Sequence, residues 1–146
     1  MKRSSRLAAI ARVQQHREQH QRLILLEARQ QLDKQQALLK QLEDYRAEYL
    51  DLHSVKSRRA SSLPALSNAS RFVASLSQAI KQQGEQEANA AEIWARENQQ
   101  WQILSARGDA MDNLVDECHR EEQRQGKLAE DQEAEELWGV ARLYSR

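Results

Sequence analysis

A run of apolar and aromatic residues at heptad spacing constrains the fold of this chain more than any other feature. In LLKQLEDYRAEYLDL, alternating steps of four and three residues separate Leu38, Leu42, Tyr45, Tyr49 and Leu52. This interval places side chains on one face of a helix that packs against another helix. About thirty residues further on, SNASRFVASLSQAIKQQ carries a second apolar helical face, formed by Phe72, Leu76, Ala79 and Ile80. The sequence therefore predicts two facing arms of one helical hairpin.

The composition favours helices and a thin core. The chain of 146 residues contains nineteen Gln, no Thr and one Pro, and 5% of its residues are aromatic. Strands favour Thr, β-branched and aromatic residues with frequent turn residues, whereas Ala, Leu, Gln, Glu, Lys and Arg form helices well. A mean hydropathy of −0.88 is too polar for a thick core and suits a narrow seam between two helices. We therefore predict an all-α fold, two long antiparallel helices forming a coiled-coil hairpin.

The helix boundaries are predicted from caps and breakers. Ser4 or Ser5 can cap a first helix, which no Gly or Pro interrupts before Pro64. The stretch SRRASSLPALSN is a hinge, and Ser67 or Asn68 at its end can cap the second helix. The predicted organisation is one domain over residues 1–146, with helix 1 at about 5–58, the hinge at about 59–68 and helix 2 at about 69–143.

The second predicted helix has internal glycines and outruns its partner. Gly84, Gly108 and Gly126 are predicted to mark bends or weak points, because each costs roughly 1 kcal/mol relative to Ala in a helix. From Gly126 onward, about fifteen to twenty residues should overhang the first helix. Such a segment must fold back, fray or bind something.

Helix 1 carries more apolar surface than one partner helix can cover. One stripe consists of Leu25, Ala28, Leu32, Leu39 and Leu50, and the heptad run given above forms a second stripe beside it. A two-stranded seam uses roughly two positions per heptad. One stripe near the hinge is therefore left over, and it either widens the core or offers a half-buried patch to another protein.

Charge is balanced overall and segregated along the chain. Residues 1–30 carry seven Lys or Arg and two Glu, whereas residues 109–138 carry eleven Asp or Glu and three Lys or Arg. An antiparallel hairpin brings these ends together, and the pattern is expected to set register more than stability, because exposed ion pairs contribute little. No aromatic residues are interleaved with the basic ones, so nucleic acid is not expected as a partner.

The remaining sequence signals argue against a membrane span and against a site for chemistry. No run of roughly 18 apolar residues is present, and the basic N-terminus lacks a signal-peptide apolar segment. His16 and His20 stand one helical turn apart, but no third ligand is expected near them, so no metal site is predicted. Cys118 is interpreted as a small seam residue. With no phosphate-binding glycine loop, no cofactor and no catalytic residue are predicted, and the chain is not expected to be an enzyme.

The central motifs resemble the flagellar FliJ family, small cytoplasmic components of the bacterial flagellar type III export apparatus. The resemblance is carried by LKQLEDYRAEY, the serine-rich hinge and NASRFVASLSQAIKQQ. Trp101, Leu114 and the run Glu135-Glu136-Leu137 resemble a weaker family signature in the second helix. The similarity covers nearly the whole chain and is most specific over residues 38–83.

The resemblance implies a stalk-like hairpin similar to the coiled coil of the rotary ATPase γ subunit. Its free helix ends would enter the central hole of an export ATPase hexamer (FliI-like). The protein would also contact the membrane export gate (FlhA-like) and escort export chaperones. It would be a monomer when free, cytoplasmic and peripheral at the cytoplasmic face of the inner membrane, without inserting into the bilayer. Carried over by position, the gate-docking patch comprises Leu38, Leu42, Tyr45, Tyr49, Phe72, Leu76, Ala79 and Gln83.

Two alternatives stay open at this point. The first is the equivalent stalk of a virulence type III secretion system, which the Tyr-Arg-Ala-Glu-Tyr run at residues 45–49 disfavours. The second is an unrelated coiled-coil adaptor.

Overall fold

The protein consists of two long helices. Its structure, a computed structural model, describes residues 2–56 and 63–145. Helix α1 spans Arg3–Lys56 and helix α2 spans Leu63–Tyr144. The two helices pack against each other and the described residues contain no strand, so the predicted helical hairpin is confirmed. None of the described helices has a stretch long and apolar enough to cross a membrane.

The helices begin earlier than the sequence predicted. Helix α2 starts at Leu63 rather than near residue 69, and Pro64 lies in its first turn, where a missing N–H costs nothing. Ser67 and Asn68 are therefore inside the helix, and the prediction that one of them caps it is wrong. Of the predicted hinge, residues 63–68 are helical, and residues 59–62 lie outside the described part of the chain.

The predicted cap of α1 is also wrong, because a residue of the other helix takes that role. Helix α1 begins at Arg3, so Ser4 lies inside its first turn. The backbone N–H of Ser4 donates to Oε1 of Glu122 at 3.1 Å, and its hydroxyl donates to Oε2 at 2.5 Å. The Glu122 carboxylate thus satisfies one of the N–H groups that a helix start leaves without an intrahelical partner.

Burial follows one heptad pattern on each helix. On α1, every buried or half-buried position of that pattern lies three or four residues from the next: Ser4, Leu7, Ala11, Gln14, Glu18, Gln21, Leu25, Ala28, Leu32, Gln35, Leu39, Leu42, Arg46 and Tyr49. On α2 the corresponding positions are Ala69, Val73, Leu76, Ile80, Gln83, Glu87, Ala90, Trp94, Glu97, Trp101, Leu104, Gly108, Met111, Val115, Cys118 and Glu122. We call these the seam positions. In the heptad notation abcdefg, Ser4 and Glu122 are both a positions, and Gln35 and Gln83 are both d positions.

Two compact units divide the chain, and each contains a piece of both helices. The first joins Met1–His20 with Gln102–Arg146. Within it, Nε2 of Gln14 donates to the Leu104 carbonyl at 3.2 Å. The buried Gly108 faces Glu18, whose Oε2 would lie 2.9 Å from a Cβ added at that glycine. Gly108 therefore leaves room for a charged side chain in the seam, and α2 continues through it as a helix.

The second unit, Gln21–Trp101, has a seam that is rich in amides. Nε2 of Gln21 donates to the Glu97 carbonyl at 3.1 Å and to its carboxylate at 2.6 Å. Nε2 of Gln83 donates to the Gln35 carbonyl at 3.1 Å and to its side-chain oxygen at 2.6 Å. Each bond joins a d position of one helix to a d position of the other. These contacts fix which residues face each other, because a slip would leave the amides without partners.

Ion pairs do not provide that register. Residues 2–30 and 109–138 are all described and share no ion pair within 4.0 Å, although the unit that joins Met1–His20 with Gln102–Arg146 brings the basic and acidic ends together as predicted. Ion pairs within the described part of the chain include Arg29–Asp33 and Arg124–Glu121, and each of these joins residues of a single helix. Long exposed side chains gain little from a fixed ionic geometry, which leaves register to the shorter seam amides.

Beyond Glu122, helix α2 continues as an exposed helix. Residues 123–144 are all exposed, and they contain the acidic cluster 130–136 followed by an apolar end. In that end Leu137 is 71% exposed, Trp138 69% and Tyr144 87%. The predicted overhang is therefore present, and it starts a few residues before Gly126.

Candidate partner-binding surface

The predicted patch divides evenly between the seam and one flank of the second unit. Leu42, Tyr49, Leu76 and Gln83 occupy d positions of the seam, and Leu38, Tyr45, Phe72 and Ala79 occupy the adjacent g positions. In an antiparallel pair of helices the g positions of both helices lie on the same flank of the seam. The eight residues therefore form one surface near the hinge. We call the four g positions of this surface the g flank near the hinge.

Exposure differs sharply among these residues. Leu76 is 8% exposed and belongs to the core. In contrast, Leu38 is 38% exposed, Phe72 39% and Tyr45 51%. The apolar stripe that was predicted to be left over on α1 is therefore partly used within the hairpin, because two of its residues, Leu42 and Tyr49, lie half-buried in the seam. What remains available to another protein is the set of g positions.

Three aromatic rings hold this surface together. The ring centroids of Tyr49 and Phe72 are 4.6 Å apart with a 50° angle between their planes. Those of Tyr45 and Phe72 are 6.1 Å apart at 81°, an edge-to-face contact. Phe72 thus lies between two tyrosines of the other helix, and such ring pairs contribute roughly 0.5–1.5 kcal/mol beyond their buried area. The rings are ordered before any partner arrives, which lowers the entropy cost of binding.

Gln83 is occupied within the hairpin. Its amide donates to both the backbone and the side chain of Gln35. A role in binding a partner directly would require these two bonds to break. On the opposite flank, Nη1 of Arg46 lies 3.4 Å from the Ser77 hydroxyl. The aromatic cluster is therefore bordered by polar contacts between the helices.

Trp94, Trp101 and Cys118 also lie along the seam, whereas His16 and His20 are exposed. Trp94 and Trp101 are half-buried there, and the Arg29 guanidinium carbon lies 5.4 Å from the Trp94 ring centroid. Cys118 is half-buried, with its Sγ 3.9 Å from Oε1 of Glu122. The described residues contain no group of three or more His, Cys, Asp or Glu side chains placed to hold a metal ion.

One carboxylate is electrostatically distinct. The hydroxyl and the backbone N–H of Ser4 both donate to Glu122 and lower its pKa below the usual 4.5, with smaller help from the charge of Lys2. Glu122 is thus held as an anion at the start of α1, where a negative charge is favourable.

Sequence reasoning missed a second surface on the same flank, farther from the hinge. It is a shallow groove of about 470 Å³, lined by Ile24, Glu27, Ala28, Gln31, Gln35, Gln86, Asn89, Ala90, Ile93 and Glu97. We call it the alanine groove, because Ala28 and Ala90, two small residues at seam positions, are among the residues that line it. The signal for it was available, since Ile10, Ile24 and Leu38 recur every fourteen residues at g positions.

Comparison with known proteins identifies one family. The sequence model described as "Flagellar FliJ protein" matches residues 2–146. No curated protein and no solved structure matches the chain.

Proposed function

The chain belongs to the flagellar FliJ protein family, and from that premise we propose that it links the export ATPase to the export gate as a non-catalytic coiled coil. Membership makes it a component of the flagellar export apparatus, and hence of flagellum biogenesis and motility. It also favours the flagellar function over both alternatives, a virulence stalk and an unrelated adaptor.

The exposed aromatic cluster is the observation that best supports gate docking. Tyr45 is 51% exposed and Phe72 is 39% exposed. Both are large aromatic residues, and the exposed part of each ring can contact a partner. Aromatic residues recur as binding anchors because they offer a large contact area with few rotatable bonds. The proposed contact to the gate therefore consists of Phe72, Tyr45 and Leu38, supported by the half-buried g residue Ala79 and by the seam residues Leu42, Tyr49, Leu76 and Gln83.

The helix ends are proposed to engage the ATPase hexamer. The exposed end of α2 presents acidic residues 130–136 and then an apolar and aromatic end, which suits a partner with a basic rim around apolar pockets. Glu122 fixes the start of α1 against α2 at the base of this segment. A stalk needs a shaped end and no catalytic group, which agrees with the non-enzymatic family.

Chaperone escort and location complete the proposal. Both follow from the family resemblance: the protein would meet export chaperones and work in the cytoplasm at the inner-membrane face. We further propose that the free protein is a monomer, because the seam of each unit is formed between α1 and α2 of a single chain.

A double dissociation tests the linking function. Tyr45→Ser should weaken binding to the gate's cytoplasmic domain and leave stimulation of the export ATPase unchanged. Deletion of residues 2–12 should do the reverse, provided that circular dichroism shows the remaining helices to be intact. Leu23→Ser is the matched control, because Leu23 is 66% exposed on an outward position and should affect neither activity.

The proposal fails if the two activities move together. Loss of both in each variant would mean that the protein acts as one undivided surface or simply unfolds. Normal gate binding by Tyr45→Ser, Phe72→Ser and their double variant would remove the gate from this flank.

A further inference from the structure

The alanine groove has the form of a site for a third helix. Its ten lining residues come from d, g and c positions of both helices, so it follows the heptad geometry of the hairpin. The seam layer beneath it holds Ala28, which is 8% exposed, facing the half-buried Ala90. Small residues in a seam layer leave a hollow, and Ile24 and Ile93 stand beside it. Such a groove suits the apolar face of an amphipathic helix.

The walls of the groove define the charge of its occupant. The only charged side chains among the lining residues are the carboxylates of Glu27 and Glu97. Glu97 accepts a bond from the Gln21 amide, which is neutral and brings no positive charge to the groove. The exposed Lys34 and Arg96 lie in the same stretches of helix but do not line the groove. Complementary charge on a helix seated here is therefore positive.

We propose that the alanine groove binds an amphipathic helix of a partner protein whose apolar stripe is flanked by Lys or Arg. Apolar side chains of that helix pack on Ala28, Ala90, Ile24 and Ile93, and its basic residues face Glu27 and Glu97. The amides of Gln31, Gln86 and Asn89 offer both donors and acceptors to its polar residues. This inference does not depend on the export function proposed above.

The end of α2 from a second copy of this chain is a poor occupant. In this exposed apolar segment, Glu133 and Glu136 lie beside Leu137 and Val140. Seating it in the groove would bring its carboxylates against those of Glu27 and Glu97, and like charges repel. Charge thus selects a basic helix over the acidic end of α2.

The test uses two synthetic helices and the full-length protein. Each labelled peptide is about 18 residues long, about five turns, with leucines at steps of three and four residues. One peptide carries Lys beside the leucines and the other carries Glu. Fluorescence anisotropy should show the Lys peptide binding about tenfold or more tightly than the Glu peptide at low salt, with the difference shrinking as salt rises.

Matched variants locate the binding. Ile93→Ser should weaken the Lys peptide about tenfold or more, whereas Ile103→Ser should change it less than about twofold. The two isoleucines lie on the same helix and are 47% and 39% exposed, but only Ile93 lines the groove. Ala90→Leu would fill the hollow from within and should abolish binding. Should that variant unfold, Ile93→Ser decides alone.

Three results would overturn the inference. Equal binding of the two peptides would remove the charge argument, and equal binding by Ile93→Ser and the unmodified protein would place the site elsewhere. Sedimentation showing a dimer that Ile93→Ser disrupts, without peptide binding, would assign the groove to a second copy.

Discussion

Replacing Phe72 by Ala separates a docking surface from a core. Phe72 is 39% exposed, so roughly 60% of it is buried against Tyr45, Tyr49 and the seam. Removing a fully buried Phe costs about 3–5 kcal/mol, and 60% of that is about 2–3 kcal/mol. Because the site is open and its neighbours can close over the gap, we expect a smaller loss of stability than this, about 1–2 kcal/mol. For a chain of this size that lowers the melting temperature by about 2–8 °C.

The binding effect should be as large or larger. Truncating an aromatic anchor typically costs about 1–3 kcal/mol of binding free energy, roughly a 5- to 150-fold weaker affinity. Leu76→Ala provides the contrast, because Leu76 is 8% exposed and can touch a partner very little. Its truncation should cost about 2–5 kcal/mol of stability, with little change in the affinity of the molecules that remain folded.

The assay measures both quantities on the same samples. Circular dichroism at 222 nm gives the melting curve, and binding to the gate's cytoplasmic domain is measured in the cold, where every variant is folded. Leu50→Ala is the control, since Leu50 is 47% exposed at the same end of the hairpin but on the opposite flank. If Phe72→Ala melts as early as Leu76→Ala and binds the gate normally in the cold, the cluster is core and the docking assignment is wrong.

Three further predictions concern the seam. Because the pKa of Glu122 is lower in the folded protein than the unfolded value of 4.5, its stabilising effect is fully present above pH 4.5 and is lost as the pH falls through the lower folded pKa. Glu122→Gln should therefore make the amide hydrogen exchange near the start of α1 less dependent on pH in the acid range. An unchanged pH dependence would refute this. Gln83→Ala should cost about 0.5–1.5 kcal/mol by removing its two bonds to Gln35, and a melting curve equal to wild type would show that water replaces the amide. Cysteines at Ala28 and Ala90, with the native cysteine replaced by serine, should form a disulfide within one chain, whereas exclusively intermolecular crosslinking in dilute solution would contradict the monomeric hairpin.

The sequence predicted the fold because the heptad pattern is long and its interruptions are few. Two helices and an exposed acidic end of α2 followed from spacing and composition alone. Local rules did not predict the start of α2, because a proline between two helical segments indicates a break, although proline is also well suited to the first turn of a helix. The cap of α1 was missed because it comes from Glu122, a residue far away in the sequence, and local rules see only Ser4.

The site was only half predictable, for a related reason. Spacing alone did not distinguish the d positions Leu42 and Tyr49 from the g positions Leu38 and Tyr45, because both sets recur every seven residues. That distinction depends on which residues face each other, and the seam amides decide it through bonds such as Gln83 to Gln35. Charge correctly predicted that the basic and acidic ends lie together, but the described residues of these ends form no ion pair with each other.

The polar seam also indicates which surface of the hairpin a partner protein can bind. Each d position occupied by Gln contributes hydrogen bonds that specify register, but it contributes little apolar burial. Large apolar residues lie in the seam and also beside it, at g positions such as Tyr45, Phe72, Ile24 and Ile93. On the opposite flank, the e positions of the second unit include Arg22, Arg29 and Gln36, which solvate that side. A hairpin built this way is amphipathic across its width, and any protein that packs against it gains most by binding the g flank.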